Sequence, residues 1–108
     1  LTSSHVIDNY TISSQGWTKT FSVTNYFDGT AQISWNQYSI SGASNVSCYV
    51  SYSTDNVTWT PEQTTANGSF MPATGLSMDI RYIKVRFDIP SNNWVYNMKF
   101  VYYTWQEV

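Results

Sequence analysis

Charge is what this chain has least of. Asp, Glu, Lys and Arg make up 11% of its 108 residues, against about a quarter in an ordinary globular chain. The five cations are scattered as Lys19, Arg81, Lys84, Arg86 and Lys99, and the formal net charge is -2. Nucleic acid and anionic membrane surfaces call for clustered Lys and Arg, so neither is an expected partner. No apolar run approaches the roughly 20 residues of a membrane-spanning helix, so no transmembrane segment is expected. Cys48 is the single cysteine and cannot form an internal disulfide. It stands in phase with Val46 and Val50, with no adjacent cation or histidine, and reads as a small buried hydrophobe rather than a reactive thiol. The only histidine, His5, lies near the start of the chain beside no nucleophile pattern, and one His with one Cys makes no zinc site. Phosphate loops, dinucleotide fingerprints and calcium-loop spacing are missing too, so neither cofactor nor metal is expected. Runs rich in Ala, Leu, Glu and Lys are also missing, which argues against long helices.

What remains is a chain of Ser, Thr, Asn and aromatics. The clearest stretch is Val46 to Trp59. Val46, Cys48, Val50 and Tyr52 alternate with Ser47, Tyr49, Ser51 and Ser53, a period of two that a helix would scatter. Ser53-Thr54-Asp55-Asn56 then reads as a tight turn, and Val57-Thr58-Trp59 as a returning strand ending at Thr60-Pro61. Similar runs recur. After a frayed lead-in at Leu1–Ser4 come His5–Ile12 and Trp17–Val23. Asp28-Gly29 closes an aromatic loop, and Thr30–Ile40 follows. A β-bulge near Asn36-Gln37 would put Ile33, Trp35, Tyr38 and Ile40 on one face. Glu62–Ser69 reads as irregular with a turn at Asn67-Gly68, and Phe70–Met78 as a doubtful edge strand. Ile83, Val85, Phe87 and Ile89 make the apolar face of another strand. The last, Trp94–Trp105, sets Trp94, Tyr96, Met98, Phe100 and Tyr102 on one parity. About 7–8 strands at intervals of roughly ten residues predict a single all-β domain over 1–108, an antiparallel β-sandwich. The opening Leu1-Thr2-Ser3-Ser4, without an initiator Met, suits a piece of a larger protein.

Aromatics reach 18%, with 5 Trp, 9 Tyr and 5 Phe. Phe21, Trp35, Phe87 and Phe100 are in phase with aliphatic residues and belong to the core. Tyr26 and Phe27 precede the Asp28-Gly29 turn, and Trp94 follows Asn92-Asn93. A ring at such a place offers a flat apolar surface to the C–H side of a sugar, and neighbouring amides or carboxylates can bond its hydroxyls. The candidate ligand-binding residues are therefore Trp94, Asn92 and Asn93, then Tyr26, Phe27 and Asp28, with Arg81 and Arg86 behind them. Asp28, Asp55, Asp79 and Asp88 all sit beside turns or strand ends, where Asp serves backbone geometry, so an enzyme is not expected. A glycosidase fragment would need two facing carboxylates about 5–10 Å apart. Asn-x-Ser/Thr triplets at Asn9, Asn45, Asn56 and Asn67 carry little weight in a chain of this composition.

Two segments bear a likeness to a known family. Val50-Ser51-Tyr52-Ser53-Thr54-Asp55-Asn56-Val57-Thr58-Trp59-Thr60 resembles the Tyr-Ser-x-Asp-Gly turn and following Trp of discoidin-like modules, also called coagulation-factor C-type or galactose-binding-like. Arg81-Tyr82-Ile83-Lys84-Val85-Arg86 is similar to that family's Arg-Tyr-Ile-Arg strand. Asn56 stands where the family favours Gly, and no counterpart of its N-terminal ligand loops is found. The resemblance implies a jelly-roll sandwich and non-catalytic binding of glycans, lipids or protein at loops on one end. In composition the chain is also similar to small modules of bacteriophage tail and receptor-binding proteins. The expectation is a carbohydrate-binding adhesion module of a secreted, cell-surface or virion protein, its partners a glycan and other domains or copies of its parent. The competing expectation is a structural spacer or assembly domain. Rings gathered beside Asn and Asp favour the first, and rings spread over a flat apolar face favour the second.

Overall fold

A computed structural model describes residues 2–12, 16–23, 26–40 and 45–105, with the backbone alone at 8–11. Residues 13–15 and 41–44, most of two segments whose Ser, Gly and Asn content reads as turn or loop, lie outside the described residues, as do 24–25. The described residues form seven strands: β1 (Thr2–Ile12), β2 (Gly16–Ser22), β3 (Phe27–Ser39), β4 (Ser47–Ser53), β5 (Gln63–Thr65), β6 (Tyr82–Asp88) and β7 (Asn93–Trp105). A 3-10 turn, Ser77–Asp79, precedes β6. The strands form two antiparallel sheets, β1-β7-β3 and β2-β6-β4-β5, packed as a β-sandwich.

Period-two patterning explains why the layers meet. From the four-stranded sheet, Cys48, Val50 and Tyr52 of β4 and Ile83, Val85 and Phe87 of β6 point inward. Ile33 and Trp35 of β3 and Met98, Phe100 and Tyr102 of β7 meet them. Phe21 stacks on Phe100 with ring centroids 4.8 Å apart, and Trp35 meets Phe87 edge-on at 5.0 Å. Each such side chain contributes about 1.5–3 kcal/mol of apolar burial, which makes this layer the main source of stability.

Several local readings are corrected. Thr2–Ser4 is paired with Tyr103–Trp105 of β7 rather than frayed. The bulge lies in β7 and not in β3. Ser34 faces Lys99 while Asn36 faces Tyr96, so the extra residue belongs to β7. It is accommodated at Asn97, whose φ is +51°. With no extra residue at Asn36-Gln37, β3 keeps strict alternation from Ala31 onward, and Tyr38 and Ile40 end exposed instead of joining Ile33 and Trp35. The same bulge turns Trp94 and Tyr96 away from the face shared by Met98, Phe100 and Tyr102 and puts Val95 inside.

Asp28-Gly29 does not turn the chain. It forms a bulge inside β3, between the pairs Phe27–Thr104 and Ala31–Tyr102. Gly29 has φ +91°, and an added Cβ would stand 3.0 Å from Cβ of Ser77. Both the conformation and the close approach of the 3-10 turn demand glycine there.

Val57–Trp59 makes no returning strand. Its single bridge joins Trp59 to Ser53, while Asp55 Oδ1 accepts from the backbone N–H groups of Val57 (2.9 Å) and Thr58 (2.8 Å) and bends the chain into a flap. Asn56 holds the positive φ, +64°, in this turn. Gln63–Thr65 forms a short strand beside β4 where an irregular segment was expected. The stretch 70–78 holds one bridge, Phe70 to Gln32, and the start of the 3-10 turn.

Candidate functional site: an aromatic platform on the three-stranded sheet

The bulge at Asn97 creates the platform. Outward-facing Trp94 of β7 stands directly opposite Tyr38 of β3. The rings lie 5.7 Å apart, inclined by 36°. Trp94 is 47% exposed, Tyr38 57% and the neighbouring Tyr96 44%. All three are carried on hydrogen-bonded strands, so the platform is held by the backbone ladder rather than by a loop. Asn36 is paired with Tyr96 and shares the outward face. The hydrogen bond from Ile40 N–H to the Asn92 carbonyl, 3.1 Å, ties the end of β3 to the turn before β7. Asn92 takes φ +64° in that turn. Asn93 is buried, and its Nδ2 donates to the Ser91 carbonyl at 3.0 Å while its Oδ1 has no partner.

The other expected residues lie at the far end of the same sheet. Phe27 pairs with Thr104 and Ser39 with Asn93, so the two groups are separated by the length of β3, about 40 Å at the usual rise per residue. Phe27 is 1% exposed and packs edge-on against Tyr102, so it presents no ring to a ligand. Asp28 Oδ1 accepts from Thr30 N–H at 2.7 Å and shapes the bulge. Tyr26 is exposed, with φ +70°, and its carbonyl accepts from Trp105 N–H at 2.8 Å. Asn92 therefore lies beside the platform Trp94, Asn93 is buried away from it, and Tyr26, Phe27 and Asp28 form a separate group.

Between these ends a trough of about 310 Å³ runs over the outer face, walled by Ser4, Val6, Gln32, Lys99 and Tyr103 among others. Trp105, also exposed, stands beyond it.

The arginines serve the opposite face. Arg86 lies 4.2 Å over the Tyr49 ring and donates to Glu62 through Nε (2.8 Å) and Nη2 (3.0 Å), and through Nη1 to Asp88. The guanidinium holds the Glu62 carboxyl below its ordinary range. Arg81 Nη1 donates to the carbonyls of Met78 and Ile80. Both guanidinium groups are thus already engaged. His5 bonds Thr104 Oγ1 at 2.8 Å and stacks on Tyr102 at 4.7 Å. Among the described residues no three His, Cys, Asp or Glu side chains gather in a way that would hold a metal ion, and no helix is long and apolar enough to cross a membrane.

Tyr38 and Tyr96 are the platform residues that strand parity alone misses. The available signal is Asn97, a residue that tolerates positive φ placed inside an otherwise apolar and aromatic run. Comparison with protein-family models, curated proteins and solved structures gives no match for this chain.

Proposed function

We propose that this chain is a non-catalytic carbohydrate-binding module of a secreted, cell-surface or virion protein. The observation that carries this reading is the exposed Tyr38–Trp94 pair on a rigid sheet face, with Tyr96 and Asn36 beside it. Two adjacent rings offer successive apolar surfaces to the C–H faces of a sugar chain, and the Asn36 amide is placed to bond its hydroxyls. The trough continues the same face and adds hydroxyls and Lys99. The likeness of the 50–60 and 81–86 segments to discoidin-like modules supports the same class of binding domain. A glycan-array screen followed by calorimetry on the best ligand tests it. Trp94→Ala and Tyr38→Ala should each weaken binding by about tenfold or more, as expected for a central aromatic anchor. Binding that survives both substitutions unchanged rejects the platform.

A second reading is an assembly domain using the same face. It is favoured by the length of the exposed row, which runs along β7 from Trp94 to Trp105 with Val6 and Tyr38 beside it. A concentration-dependent dimer abolished by Trp94→Ala, with no glycan bound, would select it.

A further inference from the structure

We infer that the cleft at the open edge of the sandwich, between β3 and the β4–β5 pair, is a second binding site, for a neutral hydroxyl-bearing ligand the size of a small sugar. It is a space of about 340 Å³, at the small end of the range for ligand pockets, roughly 300–1,000 Å³. It lies on the inner side of β3, whereas the platform lies on the outer side: Gln37 lines the cleft and its neighbour Tyr38 faces away. The inference rests on the cleft's own residues and not on the platform.

The decisive residue is Thr65. The residue is 8% exposed, it lines the cleft, and its Oγ1 makes no hydrogen bond with any of the described residues. Burying a hydroxyl without a partner is costly, and a site that leaves one orphaned is suited to a ligand that completes it. Around it the polar groups are arranged but not used up. Gln37 Oε1 accepts from the Trp35 indole N–H at 2.7 Å, which fixes the amide and leaves its Nε2 as a donor. Asn67 is held by two hydrogen bonds to the Trp35 backbone. Ser47 adds a half-buried hydroxyl, and Trp35 and Cys48 supply apolar wall.

None of the residues lining the cleft is charged. An anion would meet no cation there and a cation no carboxylate, so ionic ligands lose their hydration without compensation. A sugar or polyol hydroxyl both donates and accepts, which matches the amide donors of Gln37 and the two-way hydroxyls of Thr65 and Ser47.

The test is a titration of the full chain with glucose, galactose, mannose and N-acetylglucosamine, with glucuronate as the charged control, followed by ¹H–¹⁵N NMR. At least one neutral sugar should give saturable shifts at the Trp35 indole N–H, the Gln37 side-chain amide and Thr65. Thr65→Val keeps the shape and removes the orphaned hydroxyl. It should leave the melting temperature of the free protein equal or higher while weakening that sugar about tenfold. Thr65→Ser should retain binding, and Trp94→Ala should leave the cleft shifts in place while abolishing any platform binding. No saturable shift with any neutral sugar, equal binding by glucuronate, unchanged affinity in Thr65→Val, or loss of the cleft shifts in Trp94→Ala would each overturn the inference.

Discussion

The Asn67 side chain pairs with the Trp35 backbone as a neighbouring strand would. Its Oδ1 accepts from Trp35 N–H at 2.9 Å, and its Nδ2 donates to the Trp35 carbonyl at 2.7 Å. Gly68 N–H bonds the Ile33 carbonyl at 2.9 Å and Met71 N–H the Ala31 carbonyl at 2.8 Å, so the segment after β5 continues this cover along the edge of β3. Sheet edges left open recruit other strands, and this edge is closed by two backbone N–H groups and one side-chain amide. Asn67→Ala should therefore lower stability by about 1–3 kcal/mol, the cost of two backbone groups losing their partners. Urea unfolding measures the loss. Sedimentation at rising concentration should show self-association that the parent chain lacks at the same concentrations.

Alkali should unfold this protein earlier than its composition suggests. Burial pushes the Cys48 thiol from 9.0 up to about 12, slightly opposed by the charge of Arg86. Burial likewise pushes the Tyr52 hydroxyl from 10.0 up to about 12. In the unfolded chain both groups release their protons near their ordinary values, while the folded chain retains them. The stability linked to these groups is complete below about pH 9 and is lost as pH rises through the folded values near 12. Melting temperature measured from pH 8 to 12 should fall steadily. Cys48→Ala should flatten the first part of the fall. The same burial predicts that Cys48 resists thiol-reactive dyes at pH 8 until urea opens the fold. Rapid labelling of the native protein would contradict it.

The Asp55 turn gives the acid limb. Its carboxylate is held below its ordinary 3.8 chiefly by the N–H groups of Thr58 and Val57, with Ser53 Oγ adding a further bond. A depressed carboxyl contributes stability above its unfolded value, and that contribution disappears as pH falls through the lower folded one. Asp55→Asn keeps an acceptor oxygen and removes the titration, so its melting temperature should depend less on pH between 5 and 2 than the parent's. Asp55→Ala should melt lower than both at pH 7. Identical acid profiles for Asp55→Asn and the parent would remove Asp55 from this role.

The strands with clean alternation were legible residue by residue. β6 lies inside the four-stranded sheet with one face on the core and buries only the set its parity marks, while β4 buries its marked set together with Ser51 and Ser53. Gln63-Thr64-Thr65 carries no apolar rhythm. It becomes a strand because β4 offers an unpaired edge beside it, which no local pattern records. Val57–Trp59 has strand-forming residues, yet Asp55 captures its N–H groups first, so turn chemistry overrides propensity. Trp94 was marked by its position after Asn92-Asn93, whereas its partner Tyr38 belongs to a distant strand and emerges only with the register of β3 against β7. Phe27 shows the reverse error. A ring beside an Asp-Gly pair looks exposed when the pair is taken for a turn and is buried when the pair is a bulge.

The last prediction concerns the bulge that makes the platform. Asn97 holds φ +51°, where a side chain branched at Cβ is strained. Asn97→Gly should change stability by less than about 1 kcal/mol, while Asn97→Val should cost about 1–2 kcal/mol. Deleting Asn97 is a different operation. It removes the extra residue between the Asn36–Tyr96 and Ser34–Lys99 pairs, so β7 would pair regularly there, with Met98 and Val95 still inward and Tyr96 and Trp94 still outward. With fluorinated tryptophan and Trp94→Phe to assign the signal, the Trp94 resonance reports its solvent exposure directly. The deletion should lower the urea midpoint less than Asn97→Val and leave the Trp94 resonance at its exposed position. A deletion variant whose Trp94 resonance moves to a buried position would mean that something other than this extra residue sets which rings face solvent.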